Sequence, residues 1–391
     1  MRTVKWNPFL SGAMMLLGGM LLWAGAARAD ISSTNPAAIV VFPKLVVNTA
    51  NGVDTIIQLT NTAPNPVNVR CFYVDANGHC SNNSAAICDP GEPPTPPCES
   101  GAYCQPGWVE TDFALTLTTN QPIVWTVSAG LPALPLTAEQ RPGIGGVFDG
   151  GSIPQSSEDP MIGELKCVEV GADEFPVDSN DLKGEATIEI VSSTPTVDIE
   201  GYNAIGIQAI PGAVTPQDNT LILGQEYNAC PASLILDHFF DDAPVLDSTV
   251  RTALTLVPCS EDFNTQLPIT TVVQFLVYNE YEQRFSTSRS MTCFAELFLS
   301  DIDTRLGDLN DNDAVSIFNI GTEGTLTGQT VIRGVANPTN PAGNGLLGVV
   351  HEFHQLGGPG GPIYSAAYML DMRGTRTQND VIQLPPASPA Q

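Results

Sequence analysis

The chain has 391 residues, with 42 acidic and 15 basic side chains and a formal net charge of −27 at pH 7. A surface this acidic repels phosphate groups, which argues against nucleic-acid partners and against anionic membrane surfaces. The 35 glycines and 32 prolines indicate many turns and few long helices. The length is sufficient for two domains of ordinary size.

Residues 1–29 have the features of a secretory signal peptide. Arg2 and Lys5 give a basic start, an apolar run follows over residues 12–22, and Ala27-Arg28-Ala29 supplies an A-x-A cleavage site. The apolar run is shorter than the roughly 20 residues that a membrane-spanning helix needs. We therefore predict cleavage after this tripeptide and a secreted or periplasmic mature chain with no membrane span, for which the cell surface is an alternative address.

The first clear pair of strands is predicted between Val53 and Gly78. Apolar and polar residues alternate before and after the segment 61–66, whose two prolines and two asparagines cannot easily continue a strand. We predict that these strands pair as a half-buried antiparallel hairpin. The same alternation over residues 113–127, interrupted at Asn120-Gln121-Pro122, predicts a second hairpin.

All nine cysteines follow residue 70, in the part of the chain that would be exported, where an oxidising compartment favours disulfides. Because nine is odd, one thiol is free or links two chains. We predict a bridge between Cys71 and Cys167. Another is predicted between Cys259 and Cys293, which leaves Cys230 available to link chains in an oligomer. Two further bridges are expected within the proline-rich loop, among Cys80, Cys88, Cys98 and Cys104.

Short alternating segments separated by Asn, Pro and Gly clusters continue through the rest of the chain. This rhythm predicts an all-β fold of two antiparallel β-sandwich domains. We expect these domains over residues 30–195 and 196–384, with a disulfide-rich loop, residues 79–107, inserted in the first. Residues 385–391 are expected to form a disordered tail.

The most enzyme-like motif is His351-Glu352-Phe353-His354. Zinc hydrolases use H-E-x-x-H on a helix, but the second histidine comes one residue early in this motif. The flanking residues favour a strand, in which His351 and His354 point to opposite sides and cannot share an ion. We predict a structural strand, and a catalytic metal is the alternative.

Residues 308–313, DLNDND, resemble the first half of a calcium-binding loop, in which oxygens at positions 1, 3 and 5 converge on the ion. Asp308, Asn310 and Asn312 would be these ligands. The match then fails, because an aspartate replaces the turn glycine and Asn319 replaces the bidentate glutamate. We predict a solvated turn, with calcium as the alternative and no other cofactor.

Two further features are weighed as sites. The cluster around Asp237, Asp241 and Asp242 holds paired carboxylates of the kind that glycosidases use, although such clusters usually cap turns. Trp108 beside the disulfide-rich loop is the candidate for an exposed binding surface, although packing beneath that loop is its favoured role. The sequence contains no G-x-S-x-G elbow and no phosphate-binding G-x-x-x-x-G-K-[ST] loop.

The segments TIIQLTNTAPNPVNVRCFYVDANG and FALTLTTNQPIVWTVSAG resemble Ig-like β-sandwich modules of secreted bacterial proteins with no established activity. The resemblance implies a scaffold or binding architecture and transfers no functional residue. We expect a non-catalytic protein of the bacterial envelope or extracellular space with a structural, binding or adhesion role and a protein or glycan ligand. The alternative is a secreted hydrolase that uses a metal or paired carboxylates. Disulfides pre-order the loop and lower the entropy lost on binding, so binding is expected there first.

Overall fold

The computed structural model describes residues 31–88, 98, 101–130, 152–191, 197–241, 243–245, 248–302, 325–335, 344–358, 360–376 and 380–386. Within these residues the regular secondary structure is almost entirely β-strand, which confirms the predicted all-β class. The predicted signal peptide, the loop 308–313 and most of the predicted tail lie outside the described residues.

The strands are numbered in chain order. They are β1 (Ile39–Val47), β2 (Val53–Asn61), β3 (Val67–Asp75), β4 (Gly78–Cys80), β5 (Asn83–Cys88), β6 (Cys104–Gln105), β7 (Val109–Leu117), β8 (Pro122–Thr126), β9 (Met161–Val170), β10 (Leu182–Val191), β11 (Val197–Asn203), β12 (Ile205–Ile207), β13 (Thr220–Leu223), β14 (Pro231–Phe239), β15 (Ala243–Val245), β16 (Ser248–Pro258), β17 (Glu261–Asp262), β18 (Thr270–Asn279), β19 (Arg284–Thr292), β20 (Ala295–Phe298), β21 (Thr327–Val335), β22 (Leu346–Leu356), β23 (Ile363–Met369), β24 (Asp371–Thr375) and β25 (Asp380–Gln383). One helical turn, α1, spans Leu299–Ile302, and a short 3-10 helix spans Thr49–Asn51.

Two sheets form the N-terminal half. Their strand orders are β12-β1-β9-β3-β7 and β11-β10-β2-β8. The inner faces enclose one hydrophobic core, in which Tyr73 of the first sheet accepts a 2.5 Å hydrogen bond from the indole N–H of Trp125 in the second. Because β11 pairs with β10 and β12 pairs with β1, the strands of these two sheets extend to Ile207. The predicted division of the chain into two domains stays a prediction.

Both predicted hairpins are wrong, although the strands lie where the alternation placed them. β2 pairs with β8 and β10, whereas β3 pairs with β7 and β9 in the other sheet. The turns after β2 and after β7 therefore carry the chain from one sheet to the other. The two inner faces of a sandwich show the same alternation, so the pattern does not distinguish a hairpin from such a crossing.

Asn61, which is fully buried at the end of β2, ties these two crossings together. Its side-chain amide donates to the carbonyl of Asn65 at 2.7 Å and to the carbonyl of Thr118 at 2.9 Å. Its side-chain oxygen accepts the N–H of Ala63 at 2.7 Å. Asparagine is suited to this position because one side chain satisfies several backbone groups that have left the sheet ladders.

The C-terminal half contains the sheets β19-β18-β21-β14-β24 and β15-β16-β22-β23, with β20 beside β16. Their core includes Leu254, Phe275, Ile332 and Val350. A small sheet, β13-β25-β17, lies against the outer face of the sheet that holds β1 and β3. The pairing of β17 with β25 is the one parallel pairing among the named strands of the described residues.

The two halves share a further hydrophobic cluster. Ile39 and Phe72 from the N-terminal half pack there with Phe263, Leu347 and Ile382 from the C-terminal half. The rings of Phe72 and Phe263 stack with their centroids 4.3 Å apart. Strands β1, β3 and β9 are consequently buried on both faces, which gives them nearly continuous apolar burial. The Ig-like character of each half stays a prediction.

Four disulfides connect described residues, and they are typical of an oxidising, extracellular or periplasmic compartment. The bonded pairs are Cys71–Cys167, Cys80–Cys98, Cys88–Cys104 and Cys230–Cys259. The first three agree with the sequence expectation. The predicted bond between Cys259 and Cys293 was wrong, because Cys259 faces Cys230 in the shared cluster. The free thiol is therefore the buried Cys293, and Cys230 is not available to link chains.

Within the residues that the structure covers, we find no helix with the length and apolar character needed to cross a membrane.

Candidate functional site

A cleft of about 710 Å³ lies between the two halves, beside the disulfide-rich loop. The N-terminal half contributes Ile87 and Ile162 to its wall, together with the backbone around Asn77 and Gly107. The C-terminal half contributes residues of β18, β19 and β20. The cleft is thus the place where the loop singled out by the sequence meets the second half of the chain.

The loop wall is held by two disulfides and by one close backbone contact. Strands β4, β5 and β6 form a small sheet, and two disulfides cross it, Cys80–Cys98 and Cys88–Cys104. A Cβ atom on Gly107 would lie 1.7 Å from the carbonyl oxygen of Asn77, so this close approach requires glycine. The amide of Asn77 in turn donates to the carbonyl of Pro160 at 2.8 Å, which fixes the rim to the sandwich.

The opposite wall is a corner at which the chain changes sheets. β19 pairs with β18 in one sheet, and β20 pairs with β16 in the other. Cys293 makes the corner with a φ of 58°, and its sulfur accepts the N–H of Ile269 at 3.1 Å. Phe294 and Leu297 are partly exposed on the wall beside this corner, and the almost fully buried Val273, Phe275 and Met291 lie beneath it. The accessible surface there is therefore largely apolar.

Two of the described residues that line the cleft are charged, Arg289 and Glu296. Glu296 forms an ion pair with Lys44 at 2.8 Å, and this pair crosses from one half to the other. The Nε of Arg289 donates to the carbonyl of Ile302 at 3.1 Å, at the end of α1. Among the described residues, the cleft therefore combines an apolar wall with one charge that has an ionic partner, Glu296, and one that has none, Arg289.

A buried ion cluster joins the halves. Lys166 of β9 contacts Glu164 at 2.7 Å and also contacts Glu261 of β17. Burial and the adjacent Glu261 carboxylate raise the pKa of Glu164 well above its usual value. Burial works to lower the pKa of Lys166, but the two carboxylates outweigh it and raise that pKa. These groups are paired inside the protein and inaccessible to a ligand.

His351 forms another contact between the halves. Its Nδ1 lies against the carboxylate of Glu200 on β11, and the two side chains are 0% and 2% exposed. Burial lowers the pKa of His351. Burial would raise the pKa of Glu200, but the hydrogen bond from His351 outweighs it and lowers that pKa. Both directions fit a neutral imidazole that donates its Nδ1–H to an ionised carboxylate.

The two histidines of the predicted metal motif do not converge. Both lie on β22, as predicted for a strand, with His351 buried and His354 on the other face paired with Glu352 at 2.7 Å. Among the described residues, the one group with metal-ligand atoms close together is Cys80, Cys88 and Cys98. These cysteines are engaged in disulfides. The calcium candidates Asp308, Asn310 and Asn312 lie outside the described residues.

The predicted paired carboxylates, Asp237 and Asp241, have different surroundings and different roles. Asp237 borders a shallower cleft of about 460 Å³ and accepts a 2.8 Å hydrogen bond from Gln329. Asp241 is buried and accepts the N–H groups of Thr252 and Ser300, each at 2.9 Å, so it caps the first turn of α1. The third residue, Asp242, lies outside the described residues. His238, which lies between Asp237 and Asp241 in the sequence, is also buried, and burial lowers its pKa to about 4.

Trp108 packs inside the protein and does not form an exposed platform. Its indole N–H donates to Glu261 at 3.4 Å, and its ring lies 6.2 Å from that of Phe263. It therefore lies at the junction of the halves, in agreement with the favoured role of packing. The exposed aromatic of the loop is Tyr103, which is 63% exposed.

The sequence did not reveal the corner wall of the cleft. The one local signal is the segment SMTCF, where Met291 and Phe294 place apolar bulk at the end of a strand whose earlier residues are mostly small or polar. No protein-family model matches the chain, and a search among curated proteins finds no match either.

Proposed function

We propose that this is an exported, non-catalytic binding protein of the bacterial envelope or extracellular space, and that the cleft between its halves is the ligand site. The observation that carries the proposal is the cleft itself. A concave, largely apolar wall with a few polar groups, in a volume of roughly 300–1,000 Å³, is typical of small-ligand sites. The protein or glycan ligand expected from the sequence stays a prediction, and the cleft favours a smaller one.

The construction of the loop supports a binding role. Two disulfides hold its sheet, and Gly107 holds it against Asn77, so little conformational entropy is lost when a ligand binds. The site is thus organised before the ligand arrives. A binding protein gains affinity in this way without a conformational change.

The alternative hydrolase has less support. His351, which would carry its chemistry, is fully buried and bonded to Glu200. Asp241, which would be one of its paired carboxylates, is buried and hydrogen bonded to backbone N–H groups. Displaced pKa values at such positions are typical of structural ion pairs and caps as well as of catalytic groups.

Titration with the neutral apolar fluorophore N-phenyl-1-naphthylamine tests the proposal. We expect a saturable increase in fluorescence with one site per chain. Ala295→Trp, which fills the cleft, should abolish it, whereas Ala114→Trp on the exposed face of β7 should leave it unchanged. Absence of saturable binding, or equal binding by both variants, would overturn the proposal.

A further inference from the structure

The cleft carries information about the class of its ligand, and this inference rests on the proposed function. Arg289 of β19 lies opposite Val273 of β18 in the antiparallel register. Residues opposite each other in a sheet point to the same face, so the arginine side chain leaves the sheet on the apolar inner side. The guanidinium therefore lies at the edge of the same apolar wall to which Val273 belongs.

The charge of Arg289 has no acidic partner among the described residues. Its Nε donates a hydrogen bond to the carbonyl of Ile302. Its two terminal nitrogens form no ion pair within the described part of the chain. The other charged residue of the cleft, Glu296, is neutralised by Lys44. The described cleft thus has a net positive charge in a chain whose formal net charge is −27.

An uncompensated arginine beside an apolar wall is complementary to a molecule with both characters. A guanidinium binds a carboxylate through two parallel hydrogen bonds, and such charge-assisted bonds are stronger than neutral ones. Phe294 and Leu297, with Ile87 from the loop wall, would cover the apolar part of the same molecule. We propose that the cleft binds an amphiphile with an apolar chain and a carboxylate end, and that Arg289 holds the carboxylate.

The test is displacement of N-phenyl-1-naphthylamine from the purified mature protein by three probes of equal chain length. Dodecanoate, dodecanol and dodecyltrimethylammonium differ in headgroup charge, and each is used below its micelle concentration. We expect dodecanoate to bind at least about tenfold more tightly than dodecanol, as one charge-assisted pair provides. The cationic probe should bind most weakly.

Arg289→Gln should remove the preference for dodecanoate while dodecanol binding is retained. Arg284→Gln is the matched control, because Arg284 is exposed on the same strand and points to the opposite face. Circular dichroism establishes that each variant is folded. If Arg289→Gln does not fold, the salt dependence of the native protein replaces it, and rising salt should reduce the preference for dodecanoate over dodecanol.

The outcomes separate this inference from the proposed function. Binding of the fluorophore with no preference for dodecanoate, or with a preference that survives Arg289→Gln, overturns the carboxylate ligand and leaves the binding cleft standing. A preference that survives high salt overturns it in the same way. Failure of the fluorophore to bind at all overturns both proposals.

Discussion

The ammonium group of Lys166 on β9 contacts the carboxylate of Glu261 on β17, and each side chain is 1% exposed. A second carboxylate, from Glu164, contacts the same ammonium group at 2.7 Å. The junction between the halves is therefore specified by charge as well as by apolar packing. A buried ion pair adds little net stability, but removal of one partner leaves an uncompensated charge in the interior.

Lys166→Met should strongly destabilise the protein, because Glu164 and Glu261 lose the cation between them. We expect the free energy of unfolding to fall by about 3–5 kcal/mol in urea denaturation. Lys183→Met is the control, since Lys183 is exposed on β10, and it should change the free energy by less than about 0.5 kcal/mol. A loss of under about 1 kcal/mol for Lys166→Met would contradict the buried cluster.

Cys293 should be the single unreactive thiol of the native chain. It is buried, and burial raises its pKa, so little thiolate is present near neutral pH. Iodoacetamide should label it only in denaturant, and peptide mapping without reduction should recover Cys230 joined to Cys259. The prediction fails if Cys230 is labelled instead, or if a non-reducing gel shows disulfide-linked dimers.

Stability should depend on pH through Glu169. This residue is 3% exposed, and burial raises its pKa to about 7 although Ser179 donates to it at 2.5 Å. The unfolded chain loses this proton near pH 4.3, so the contribution of Glu169 to stability is full below that pH. It is lost as the pH rises through about 7.

Glu169→Gln removes this titration. The free energy of unfolding of the variant, relative to the native chain, should therefore increase between about pH 4 and about pH 8, because the native protein loses the stabilising contribution of the protonated Glu169 over this range. Glu185→Gln, at an exposed position on β10, should differ from the native chain by a constant amount. Parallel slopes for Glu169→Gln and the native chain would show that the carboxylate is not buried as described.

Gly107→Ala should displace the disulfide-rich loop from the rim of the cleft. The added methyl group would meet the carbonyl oxygen of Asn77 at 1.7 Å, and overpacking of this kind costs about 1–3 kcal/mol. We expect faster proteolysis within residues 81–105 and weaker fluorophore binding. Gly201→Ala is the control, since its nearest atom is the carbonyl oxygen of Ala186 at 4.0 Å. Identical behaviour of the two variants would refute the steric role of Gly107.

Alternation located the strands because a period of two follows directly from strand geometry. It did not fix their partners, since β2 and β3 present the same pattern to one core from opposite sheets. The Cys71–Cys167 bond could be guessed, whereas Cys259 had two candidate partners that spacing could not separate. Its actual partner, Cys230, is brought to it by packing of the shared cluster.

Only one of the two walls of the cleft could be predicted from the sequence. The loop stood out because it has four cysteines within 25 positions that can bond to one another. In the structure it forms one wall of the cleft. The other wall comes from Met291 and Phe294, which nothing local connects with that loop. Packing of Trp108 was favoured from the sequence, but its partner could not be named, because Glu261 is 153 residues away in the chain. Contacts of this range are set by the fold and leave no local pattern.

The apolar cluster that covers β1 is completed by β25. Ile382 and Leu384 pack in the same cluster as Ile39, so the outer side of β1 is covered by residues that the ribosome adds much later. During most of its synthesis the nascent chain therefore contains a strand with an uncovered apolar face, and exposed apolar surfaces favour aggregation. We therefore expect the newly made polypeptide to rely on a chaperone until β25 has emerged.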